Sequence, residues 1–102
     1  MGKVYISGKV TGLPEAEYLE NFMKAEMRLS KMGYTVVNPA KVNSMLPKDT
    51  TWEQYMLLSK VMVDMCDTIY MLSNYEDSKG ALLELKWAKN DGLNVLYEKD
   101  MD

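Results

Sequence analysis

Four short runs of β-branched, aliphatic and aromatic residues alternate with three longer runs of helical periodicity, and this alternation constrains the fold more than any other feature. Residues 3–7, 34–37, 67–72 and 93–97 read as strands. Between them, Pro14 to Met32, Trp52 to about Met65, and a segment opened by Ser78 and closed by Asp91-Gly92 read as helices. Strands joined through helices make right-handed crossovers and a parallel sheet, so the loops that leave the carboxyl ends of the strands gather at one edge. In open parallel sheets ligands bind there, and a helix N-terminus at that edge favours an anionic group. The residues brought to that edge are Tyr5, Ser7, Gly8, Asn38, Ser78 and Glu84.

At 102 residues the chain makes one domain, spanning 1–102, with a single core. Its 47% hydrophobic and 26% charged residues are an ordinary globular composition without a low-complexity segment. A net charge of -3 with no basic stripe argues against a nucleic-acid polymer as partner, although backbone N–H groups can still hold a small anion. Cys66 is the single cysteine and there is no histidine, which excludes an intrachain disulfide and the usual zinc constellations. No metal or cofactor is implied. With no signal-peptide core and no apolar run of membrane-spanning length, the expectation is a cytoplasmic protein away from the membrane.

In the first helix, Leu19, Phe22, Met23, Met27 and Leu29 fall near one face, and Gly33 marks the stop. Asn38-Pro39 ends the second strand, residues 40–50 read as a loop or short turn, and Asp49, Thr50 or Thr51 caps the next helix. That helix is apolar on two sides. Trp52, Tyr55, Met56, Met62, Val63 and Cys66 form one face with Ser59 at its middle, while Leu57, Leu58, Val61 and Met65 cover much of the other. A small domain cannot bury both, so the 52–65 helix is expected to form a homodimer. The acidic tail from Glu98 reads as frayed.

Two stretches carry candidate chemistry. Gly8-Lys9-Val10-Thr11-Gly12 is a strand-to-helix loop suited to cradling phosphate, and equally to a plain tight turn. On the last helix, Ala81, Leu85 and Ala88 define the sheet-facing stripe and Glu84 lies at its edge, half hidden, with small neighbours that leave room for a reactant. Helix geometry alone favours a snorkelling surface glutamate there.

The opening Lys3-Val4-Tyr5-Ile6-Ser7-Gly8 with Thr11-Gly12, Asn38-Pro39-Ala40, Trp52 with Tyr55-Met56, Cys66-Asp67, and Ser78-Lys79-Gly80-Ala81 leading to Glu84 resemble the nucleoside 2-deoxyribosyltransferase-like superfamily. More narrowly, the chain resembles a small bacterial and phage branch of it. The resemblance implies a flavodoxin-like three-layer α/β sandwich: a four-stranded parallel sheet in the order 2-1-3-4, with helices on both faces. It implies hydrolysis or transfer at the N-glycosidic bond of 2'-deoxynucleosides or their 5'-monophosphates. Glu84 would be the nucleophile that forms a glycosyl-enzyme, and Tyr5 would orient it. Free-nucleoside transferases carry Asp at the place of Ser78, and a hydroxyl there suits phosphate better than a carboxylate does. Ser78, with Ser7, Gly8 and Lys9 opposite and Gly80 in the same turn, therefore points to a 5'-monophosphate. Asn38, the 40–50 loop and Trp52 would surround the base.

The sequence departs from the family pattern at Ser59, where relatives usually carry an Asp that helps position or protonate the departing base. A hydroxyl is no general acid near neutral pH, and losing such a group typically costs about 10²–10⁴-fold in rate. Lys9 likewise stands where relatives tend to have Pro. The sequence thus supports an N-glycosidase or transferase and, as the alternative, a catalytically impaired nucleotide-binding homodimer that senses or sequesters its ligand.

Overall fold

The structure, a computed structural model, describes residues 2–101. The chain runs β1 (Lys3–Ser7), α1 (Glu15–Lys31), β2 (Thr35–Val37), α2 (Pro39–Asn43), α3 (Trp52–Asp64), β3 (Thr68–Met71), α4 (Lys79–Asn90) and β4 (Asn94–Tyr97). All three strand pairings are parallel and the order is β2-β1-β3-β4, the expected 2-1-3-4.

Strand parity sorts the core into two layers, because successive side chains point to opposite faces. Val4 and Ile6 of β1, with Tyr70 of β3 and Leu72 just beyond it, meet Phe22, Ala25 and Leu29 of α1. Tyr5, with Ile69 and Met71, faces the other way, onto Met62 and Val63 of α3 and Ala81, Leu85 and Ala88 of α4. Helices thus cover both faces of the sheet. Among the described residues no helix is long and apolar enough to cross a membrane.

Local signals set the helix ends. Gly33 takes a φ of 97° after α1, a left-handed conformation that glycine adopts without a Cβ penalty. Thr51 makes a capping box with Gln54, which decides among the three candidate caps. Ser78 caps α4 by accepting from the Ala81 N–H at 3.1 Å.

Four expectations are corrected. The start of the 40–50 loop belongs to α2, because Asn38 is an N-cap accepting from the Ala40 and Lys41 N–H groups and Pro39 pre-sets the first helical φ. Met23 and Met27 are 42% and 56% exposed, since the core stripe of α1 runs through Phe22, Ala25 and Leu29 instead. The tail is held: Glu98 accepts from the Ser73 N–H at 2.7 Å, and the Lys99 ammonium lies 5.5 Å from the Tyr75 ring centroid. Glu84, expected half hidden, is 7% exposed.

The end of β1 lies hard against the end of β3. The Leu72 N–H donates to the Ser7 carbonyl at 2.8 Å, and a Cβ on Gly8 would stand 2.8 Å from the Leu72 Cβ. Gly8→Ala is therefore expected to destabilise the fold by about 1–3 kcal/mol in urea unfolding. Unchanged stability would show that the loop gives way freely.

Candidate functional site

The loops that leave the carboxyl ends of β1 and β3, together with α2 and the first turns of α3 and α4, enclose a cleft of about 920 Å³. That volume is within the range of sites that take a small organic ligand. Glu84 lies on its wall, although the residue is almost wholly buried.

A buried carboxylate demands donors. The Tyr5 hydroxyl donates to Glu84 Oε2 at 2.7 Å, and the Ser7 hydroxyl donates to Oε1 at 2.6 Å. Both donors come from β1 and, being two residues apart, point to the same face of the sheet. Ser59 of α3, itself buried, adjoins the pair. Burial raises the Glu84 pKa above its ordinary value, while hydrogen bonds from Ser7, Tyr5 and Ser59 act against that rise. Burial, reinforced by the negative Glu84 alongside, pushes the Tyr5 phenol well above its usual range, so Tyr5 stays protonated and donates. The only cysteine offers no competing nucleophile, because burial pushes the Cys66 thiol up to about 11.

The other candidate residues divide. Gly8, Lys9, Trp52, Ser59, Ser78 and Gly80 line the cleft with Tyr5 and Glu84. The backbone N–H of Lys9 donates to Asn74 Oδ1 at 3.0 Å, which ties the β1–α1 loop to the loop after β3. Ser7 is corrected: it is fully buried, and its hydroxyl is spent on Glu84 rather than turned to the cleft. Asn38 is corrected as well, because its amide oxygen caps α2 and its Nδ2 donates to Glu26 at 3.0 Å.

Further residues, none of them singled out individually as a site candidate in the sequence, also line the cleft. Tyr18 of α1 and Tyr55 of α3 add flat aromatic wall beside Trp52, and Asn43 comes from the last position of α2. Tyr18 was findable, since it stands one turn before the core residue Phe22. Asn43 Oδ1 is a buried oxygen with no hydrogen-bond partner among the described residues. Lys79 and Lys9 are the cations of the lining, against Glu53, Asp77 and Glu84. The Lys79 ammonium lies 4.9 Å from the centroid of the Trp52 ring.

A family model described as a domain of unknown function (DUF4406) matches residues 2–97, and the chain belongs to that family. No curated protein matches the chain.

The raised Glu84 pKa has a thermodynamic consequence. Its folded pKa exceeds the unfolded value near 4.5, so the folded state binds the proton more tightly. The resulting stabilisation is complete below the unfolded pKa and is lost as pH rises through the folded one. Glu84→Gln abolishes this titration. Its melting temperature relative to wild type is therefore expected to rise between about pH 4 and pH 8, as followed by circular dichroism. A gap that stays constant or shrinks over that range would contradict the assignment.

Proposed function

We propose that this member of the DUF4406 family cleaves the N-glycosidic bond of 2'-deoxynucleoside 5'-monophosphates, with Glu84 as nucleophile. The observation that carries this reading is the buried Glu84 carboxylate, held by the Tyr5 and Ser7 hydroxyls at 2.7 and 2.6 Å on the wall of a nucleotide-sized cleft. Two fixed donors leave the carboxylate oriented, and burial keeps it poorly solvated and ready to share its charge with a carbon that becomes cationic. The resemblance of the ordered motifs to the nucleoside 2-deoxyribosyltransferase-like superfamily supports the same assignment.

In this mechanism a carboxylate oxygen of Glu84 bonds to the anomeric carbon as the bond to the base nitrogen breaks, with the electron pair leaving on the base. Water or a second base then attacks the same carbon and frees Glu84. Tyr5 and Ser7 hold the carboxylate in line, and Tyr18, Trp52 and Tyr55 supply flat surface for the base. An N–H of the base would satisfy Asn43 Oδ1.

Ser59 favours a second reading. It lies beside Glu84 where the superfamily usually places an acid, and its hydroxyl cannot protonate a leaving base at neutral pH. A domain with this cleft and no turnover would bind and report or sequester a nucleotide. In either case the outer face of α3, with Leu57, Val61 and Met65 at 70%, 59% and 55% exposed, is the proposed homodimer surface. Val61→Glu is expected to convert dimer to monomer in sedimentation velocity; a wild-type monomer would refute that surface.

Incubation with each deoxynucleoside 5'-monophosphate, followed by chromatography, is expected to release free base. Glu84→Ala is expected to lower that release by at least about 10³-fold while the fold is kept. Full activity in the variant would refute the nucleophile. Nucleotide-induced thermal stabilisation without base release would select the binding reading.

A further inference from the structure

We propose that Lys79 is the residue that selects 5'-phosphorylated over free nucleosides, and that Trp52 holds its ammonium ready at the cleft wall; this rests on the nucleotide reading above. The commitment of Ser7 to Glu84 removes one expected phosphate donor. What remains at that end of the cleft is Gly8 and Lys9 from the β1–α1 loop, and Ser78, Lys79 and Gly80 from the first turn of α4. The Ser78 oxygen already accepts from the Ala81 N–H, which leaves its hydroxyl hydrogen to donate.

Lys79 differs from the ion-paired lysines of the chain. Lys24, Lys41, Lys60 and Lys99 each reach a carboxylate within 4 Å, whereas Lys79 forms no ion pair among the described residues. Its ammonium rests on the Trp52 ring at 4.9 Å, although Asp77 and Glu53 line the same cleft. An indole face attracts a cation without neutralising it, and a phosphate dianion offers far more. Lys79 therefore has no carboxylate to leave when a phosphate arrives, and turns from the ring to the phosphate oxygens. Trp52 thereby serves as the rest position of the lysine as well as a wall of the cleft.

The test is isothermal titration of wild type, Lys79→Gln and Lys79→Arg with each deoxynucleoside 5'-monophosphate and its matching nucleoside. Lys79 is exposed, so the fold tolerates the change. Wild type is expected to prefer the monophosphate, Lys79→Gln to lose about tenfold of that preference without weakening nucleoside binding, and Lys79→Arg to retain most of it. Trp52→Leu is expected to lose part of it. A preference that survives intact in Lys79→Gln would overturn the role of Lys79 while leaving the nucleotide reading standing. Wild type that binds neither compound would overturn both.

Discussion

The site depends on one arrangement: a carboxylate brought from a helix into the protein interior and met there by two hydroxyls from the adjacent strand. Glu84 on α4 has its charge desolvated, and that costs free energy unless donors are fixed in place. Tyr5 and Ser7 supply them from alternate positions of β1. The fold is what makes this possible, because the parallel order β2-β1-β3-β4 puts β1 in the interior of the sheet, on whose other side from α1 lie α3 and α4. The cost of a buried charge thus falls at the cleft wall, where the proposed chemistry would use the carboxylate.

Much of this was legible in the sequence, and the misreadings share a physical cause. The alternation of strands and helices carried the topology, and the Ser78 cap fixed the start of α4. A wheel of α4 alone leaves Glu84 at an open edge, which Tyr5 and Ser7 of β1 close in the fold. Strand parity put Ser7 on the same face as Tyr5, yet the neighbouring Gly8-Lys9 suggested phosphate and obscured the nearer partner. Asn38-Pro39 does end β2, and the same dipeptide also starts α2 with the amide as its cap. For Glu84 and Ser7 the local signal was correct in kind, and tertiary contacts decided which of its two uses prevailed.

The cleft mixes charges of both signs with flat aromatic wall. Lys9 comes from the β1–α1 loop and Lys79 from the start of α4 beside the Trp52 ring, and the same lining holds Glu53, Asp77, Glu84, further aromatic rings and an amide oxygen with no partner among the described residues. Within the proposed reading, Ser59 divides turnover from binding, since it adjoins Glu84 and Tyr5 and its hydroxyl is no acid at neutral pH. If turnover occurs, protonation of the leaving base must come from water or be dispensed with for a base that leaves readily.

The central claim is that Glu84 becomes covalently bonded to the sugar. Protein mixed with a deoxynucleoside 5'-monophosphate, quenched in acid and digested, can be searched by peptide mass spectrometry for a 2-deoxyribosyl 5-phosphate adduct. The account predicts that adduct on the peptide containing Glu84, with fragmentation placing it at that residue. Base release with no adduct there, or with the adduct on another side chain, would contradict it.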